Sequence, residues 1–179
     1  MGYSSERPVK SRTILDRNFF SRPTIKVARE LLGKLLVHGG KTARIREVEA
    51  YLPSNDLAAH SAAGLTQRTR VIFGPPGHAY VYLNYGIHNM LNVVVEPEGV
   101  PGCILIRAAD AVEGVDGKLS GPGLLARGMG IELSHYGCDL TVGPITICDA
   151  PILPDSKILT TPRIGIRKDS ELPLRFLIA

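Results

Sequence analysis

Tryptophan is absent from the chain, so any stacking against a flat ligand falls to tyrosine, phenylalanine or histidine. Cysteine is scarce. Cys103, Cys138 and Cys148 are odd in number and show no CxxC spacing, which speaks against a disulfide framework and a zinc ribbon and makes a reducing cytoplasm the natural compartment. No run of about 18 apolar residues occurs, and no stretch reads as a membrane-spanning helix. Met1 to Lys10 carries no apolar segment of the kind a signal peptide needs, and residues 1–12 are expected to form a flexible tail. The glycine-rich Ser120-Gly121-Pro122-Gly123 matches neither GxxxxGK[ST] nor a GxGxxG opening a βαβ unit, which rejects a phosphate loop. Internal repeats, low-complexity segments and linkers are also missing.

What is present fits one globular domain over residues 13–179. A chain of 179 residues with 44% apolar and 21% charged residues is long enough to bury a sizeable core. The formal charge of +4 and a pI near 9.1 suit a polyanionic partner without requiring one.

In chain order, Pro23 to Leu32 reads as a helix with Pro in its first turn, an apolar stripe of Val27, Ala28, Leu31 and Leu32, and Gly33 as its stop. Lys34 to His38 and Thr42 to Tyr51 read as a hairpin around Gly39-Gly40. Asp56 is placed to cap a short helix carrying His60, and Thr66 to cap a turn over 67–73. Further strands are expected at 78–85, 90–96, 103–107, 144–148, 164–166 and 174–178, with a short helix at 124–129. Strands at hairpin spacing with occasional helices give an α+β domain on a curved antiparallel sheet flanked by short helices.

The stretch Glu47-Val48-Glu49-Ala50-Tyr51 asks for an explanation. Strand alternation places Ile45, Glu47, Glu49 and Tyr51 on one face, and Arg44, Arg46, Val48 and Ala50 on the other. Two carboxylates on an apolar face cost more than their neighbours return, so this face is either wet or lines a site. Arg107, at the end of an apolar strand, needs a carboxylate, and the glutamate pair is its natural partner. Three of the six tyrosines, Tyr80, Tyr82 and Tyr85, fall within six residues. They suit either a half-buried strand or stacking on nucleic-acid bases, with Tyr85 before Gly86 placed to protrude as a wedge. Arg68 and Arg70 suit either a solvated face or phosphate contacts, and Asn92 sits among Val and Leu.

Taken together, Pro23-Thr24 through Val37, Glu47 to Tyr51, Ala59-His60-Ser61, Tyr80 to Gly86, Asn92, Leu105 to Ala108, Ser120 to Gly123, Arg163 to Ile166 and Pro173 to Phe176 form an ordered set. That set resembles the alkyladenine (3-methyladenine) DNA glycosylases of the mammalian type, which also occur in bacteria. The resemblance implies hydrolysis of the N-glycosidic bond of flipped, damaged purines (3-methyladenine, 7-methylguanine, hypoxanthine, ethenoadenine) in duplex DNA. It implies a monofunctional enzyme needing no metal or organic cofactor, a monomer, cytoplasmic and nucleoid-associated in a bacterium. By the same resemblance Glu49 corresponds to the general base, and Arg107 with the backbone carbonyl of Ile164 to the groups holding the attacking water. Tyr51, His60 and Tyr82 correspond to the walls around the base, Asn92 to a residue screening purines, and Tyr85 to the side chain replacing the base in the stack. Tyr80, Arg68 and Arg70 are possible DNA contacts. The segment 111–120 is shorter than in many relatives, and Leu124 stands where Lys is expected, which bears on DNA affinity. A non-catalytic lesion-binding or single-strand-binding module, with Glu49 and Arg107 as a structural ion pair, is the competing reading.

Overall fold

The computed structural model describes residues 12–179. The expected tail lies almost wholly outside the described residues; Arg12, its last member, is paired with Glu113 at 3.1 Å. Eight strands form one curled antiparallel sheet in a mixed α+β domain. They are β1 (Leu35–His38), β2 (Lys41–Tyr51), β3 (Ala79–Asn84), β4 (His88–Val95), β5 (Gly102–Glu113), β6 (Ile145–Cys148), β7 (Ile158–Thr161) and β8 (Arg175–Ile178). The helices are α1 (Arg17–Phe20), α2 (Thr24–Leu31) and α3 (Pro122–Met129), with short 3₁₀ turns at His60–Ala63, Arg70–Phe73, Leu133–His135 and Asp155–Lys157.

β2 is the spine. Its whole length pairs with β5 on one edge, while its other edge is shared, Lys41 to Arg44 by β1 and Glu47 to Glu49 by β8. β6 extends the β1 branch and β7 the β8 branch; β4 and β3 continue beyond β5. Gly39 and Gly40 both have positive φ, which the tight β1–β2 turn requires.

The helices cover one face. Val27, Ala28 and Leu31 of α2, with Leu32 beyond it, and Leu125, Ala126 and Met129 of α3 are buried against Leu36, Ile45, Val48, Ala50, Leu91, Val93, Ile104 and Ile106. The apolar stripe read from the sequence is therefore the stripe that docks. α3 starts with Pro122 at its first turn and stops at Gly130 in the left-handed region. The opposite face carries a second cluster of Ile72, Tyr80, Val94 and Cys103, with Tyr51, Tyr82 and Tyr136 packed on it.

Four expectations are corrected. Ile45 does not share a face with Glu49, because the pairing of β2 with β5 shifts between Ile45 and Glu47 and again between Glu47 and Val48. The unpaired residues are Arg46 on β2 and Arg107 on β5, and such bulges invert the alternation on either side. Ile45, Val48 and Ala50 thus line the core, while Glu47, Glu49 and Tyr51 face the other way. Second, β5 runs on to Glu113 rather than ending at Arg107. Third, 164–166 is a bend, and the missed strand lies just before it at Ile158–Thr161. Fourth, Asp56 accepts hydrogen bonds from the N–H groups of Leu52 and Ala58 and pairs with Arg163, while Ala59 stands at the cap position of the turn carrying His60.

Candidate active site

A single row of cross-strand partners builds the site. Tyr80 on β3 is opposite Asn92 on β4, Asn92 is opposite Leu105 on β5, Leu105 is opposite Glu49 on β2, and Glu49 is opposite Arg175 on β8. Directly opposed residues put their side chains on the same face, so five strands converge on one surface. A cavity of about 350 Å³ opens there, lined among others by Glu49, Tyr51, His60, Tyr82, Asn92 and Arg107. That volume is in the range that holds a small planar ligand.

Glu49 is wholly buried yet lines this cavity. Its Oε1 accepts a hydrogen bond from the Ile164 N–H at 2.8 Å and lies 3.3 Å from Arg107 Nη1; its Oε2 accepts from the Tyr51 hydroxyl at 3.0 Å. Ile164 thus reaches the carboxylate through its amide, a contact beyond the carbonyl role expected of it. Glu47 sits one pleat away, accepting from Arg107 Nε at 2.9 Å and Arg175 Nε at 2.7 Å. Burial works against the Glu47 charge, but the two guanidiniums outweigh it and hold its pKa below the ordinary 4.5. Arg107 is therefore shared between a carboxylate that lines the cavity and one that anchors its stem.

Aromatic rings form the walls. The His60 ring meets Tyr82 edge-on at 4.7 Å between centroids, and its Nδ1 is 2.8 Å from the Tyr80 hydroxyl. The Tyr80 and Tyr82 rings lie 5.3 Å apart at 31°. Burial raises both phenols to about 12, and it raises Tyr51 further, with the neighbouring Glu49 adding to the effect. All three are neutral donors at neutral pH. Asn92 is buried and donates Nδ2 to the Tyr80 carbonyl at 3.1 Å. Tyr85 stands at the tip of the β3–β4 hairpin, 88% exposed. Arg68 is exposed with its guanidinium 5.1 Å over the Tyr82 ring, and Arg70, two positions on, is exposed as well.

Tyr80 lines the cavity from its inner side. It is 1% exposed, because β3 turns it into the second apolar cluster, and it stands behind His60.

The family model described as methylpurine-DNA glycosylase (MPG) matches residues 18–179. The chain belongs to the methylpurine-DNA glycosylase family. Among similar proteins, one from Chlorobaculum parvum is 43% identical over 178 residues, covering 90% of this chain and 85% of that one. One from Wolbachia pipientis wMel is 45% identical over 93% of this chain and 92% of its own, and one from Legionella pneumophila (strain Corby) is 46% identical over 92% and 93%. All three carry the provisional name 3-methyladenine DNA glycosylase. Membership of a DNA glycosylase family makes the chain an enzyme of DNA repair, and it removes the non-catalytic module. No helix among the described residues is long and apolar enough to cross a membrane.

Four contributors to this glycosylase site are given no part in it by the sequence reading. Arg175 anchors Glu47, Tyr136 packs edge-on against Tyr80 and donates its hydroxyl to the Arg68 carbonyl at 3.1 Å, and Arg163 with Asp56 forms a buried ion pair at 2.7 Å. Each partner lies far along the chain, and Arg175, Arg163 and Asp56 fall in segments that already drew attention while Tyr136 does not.

His60 gives a pH prediction. Burial first, and Arg68 second, lower its pKa from 6.5, so it stays neutral in the folded chain where the unfolded chain binds a proton. Stability from this group is complete above pH 6.5 and is lost as pH falls below it toward the folded value. Thermal melting of His60→Gln is expected to show a shallower loss of Tm below pH 6.5 than the native chain; parallel curves would count against it.

Proposed function

We propose that this enzyme flips damaged purines of the 3-methyladenine class (3-methyladenine, 7-methylguanine, hypoxanthine, ethenoadenine) out of duplex DNA and hydrolyses their N-glycosidic bond as a monofunctional monomer. The observation that carries the reading is a buried carboxylate, Glu49, at the wall of an aromatic-lined cavity, tied to a guanidinium and two neutral donors. The names of the relatives agree with the substrate.

The chemistry runs as follows. A purine inside a duplex shields its sugar carbon, and rotating the nucleotide out costs a few kcal/mol, less where the lesion has already weakened the stack. Tyr85 fills the vacated space, and Arg68 and Arg70 take phosphates. The base lies between Tyr51, His60 and Tyr82, and Asn92 screens its edge. Neutral His60 and the neutral phenols add no charge to the pocket, and their ring faces favour an electron-poor or cationic base. As the C1′–N bond breaks, its electron pair goes to the base, which neutralises the cationic 3-methyladenine and 7-methylguanine, while the uncharged hypoxanthine and ethenoadenine take a proton from solvent as they leave; positive charge develops on the sugar, next to Glu49. Water, held by Arg107 and the Ile164 carbonyl, adds to C1′ and gives its proton to Glu49. Water is the nucleophile, so the product is an abasic site in an uncut strand, without metal or organic cofactor.

The test is a set of duplex oligonucleotides, each with one of the four lesions, with released bases identified by mass. Free base is expected from at least one, with strand breakage only after alkali. Breakage without alkali would overturn the monofunctional mechanism, and no release from any duplex would overturn the substrate class.

A further inference from the structure

Arg163 and Asp56 form the most buried ion pair of the described residues, both side chains fully shielded. The geometry is a fork. Nη1 of Arg163 donates to Asp56 Oδ2 at 2.7 Å and to the Ala50 carbonyl at 3.0 Å, while Nη2 donates to Asp56 Oδ1 at 2.8 Å and to the Asp169 carbonyl at 3.3 Å. Arg163 Nε is buried without a partner, so the side chain is not placed here to satisfy every donor. The same guanidinium lies 4.7 Å over the Tyr51 ring.

Two of the groups on Glu49 therefore depend on one cation. Arg163 immediately precedes Ile164, whose N–H is 2.8 Å from Glu49 Oε1, and it covers the ring of Tyr51, whose hydroxyl is 3.0 Å from Glu49 Oε2. The segment 162–169 is irregular chain with no strand partner to fix it, and the fork onto Asp56, Ala50 and Asp169 ties it to the end of β2.

We infer that Arg163 and Asp56 are positioning residues for catalysis: the fork sets the Ile164 amide and the Tyr51 hydroxyl on the two oxygens of Glu49, and so aims the carboxylate. The inference rests on Glu49 being the base. Removing the fork misplaces both donors without touching the cavity rim or Arg107. A displacement of about 1 Å in a catalytic group lowers rate by about 10²-fold.

A buried charge left alone is destabilising, whereas exchanging a whole buried pair for apolar groups of similar volume is often neutral or stabilising. The decisive variant is therefore the double substitution Asp56→Asn with Arg163→Met, which removes both charges and keeps an acceptor for the Leu52 N–H, accompanied by Arg163→Lys, which keeps a cation opposite Asp56 without the fork. Both are assayed for single-turnover base release with enzyme in excess, for melting temperature, and for affinity toward a duplex holding a stable abasic analogue. Base release is expected to fall about 10²-fold per folded molecule while affinity for the abasic duplex is retained. The other groups facing Glu49 are Arg107 from β5, backed by Glu47 and Arg175, and the phenol of Tyr82 from β3, all unchanged in these variants. A native rate per folded molecule, or a loss of rate matched by an equal loss of affinity for the abasic duplex, in either variant that folds, would show a merely structural pair and overturn the inference. If Glu49→Gln stays active, the reading of Glu49 itself has failed instead; if it is inactive while the double variant turns over normally, only the present inference has.

Discussion

Glu49→Gln is expected to lose base release by about 10³-fold or more, with binding to abasic-site duplex intact. General-base action contributes about 10² to 10⁴ in rate, and the negative charge beside a developing oxocarbenium adds to it. The substitution removes both and disturbs little else. A glutamine oxygen accepts the Ile164 N–H in place of Oε1, and the Tyr51 hydroxyl accepts from the new amide in place of donating to Oε2. Arg107 keeps Glu47 at 2.9 Å, so no cation is orphaned. Glu47→Gln is the matched control: Glu47 does not line the cavity, and its loss acts only through the aim of Arg107. Single-turnover rates of the two variants, beside their affinities for an abasic analogue, make the comparison. A Glu49→Gln enzyme at native rate, or one in which Glu47→Gln is the more damaging change, would overturn the assignment of the base.

Much of the frame was legible because local rules sufficed. The α2 stripe, the Gly39-Gly40 hairpin and the apolar strand before Arg107 follow from periodicity and turn chemistry, and each is found in place. The bulges were not legible, because nothing in Ile45-Arg46-Glu47 marks Arg46 as unpaired; only the opposing strand does. The same alternation that correctly grouped Glu47, Glu49 and Tyr51 therefore put Ile45 with them. Ile164-Gly165-Ile166 has the pattern of a strand, yet its amide is taken by a side chain rather than a ladder. Of the site, the residues within one segment were readable, as was the pairing of Arg107 with the two glutamates, and the other couplings between segments were not. Arg163 and Asp56 are separated by 107 positions, and no spacing rule links them. Tyr80 and Tyr82 share a face as alternation requires, but which of them is buried depends on Ile72, Val94 and Cys103 brought from elsewhere.

Tyr85→Asn is expected to make the protein more stable and worse at holding a flipped base. Tyr85 has φ +49 and Gly86 φ +68 in a hairpin turn closed by the Ile87 N–H on the Asn84 carbonyl at 3.0 Å. Two positive φ values in succession suit Asn-Gly, and a bulky residue at the first costs about 1–2 kcal/mol. With its side chain 88% exposed, tyrosine recovers almost none of that by packing in the free protein. Strain kept at a site without local compensation points to a role in the bound state. Stacking of a base on an aromatic ring is worth about 1–3 kcal/mol, which corresponds to roughly 5- to 150-fold in affinity. The Asn variant should therefore melt a few degrees higher and lose about that factor on lesion-bearing duplex, while nonspecific binding to undamaged duplex changes little. Tyr85→Phe separates the two effects, since it keeps both the ring and the strain and should behave as the native chain. Equal losses on damaged and undamaged DNA would remove the wedge role. A melting temperature that falls in Tyr85→Asn would show that the ring is held by contacts in the free protein, and the stability gain would then have no source.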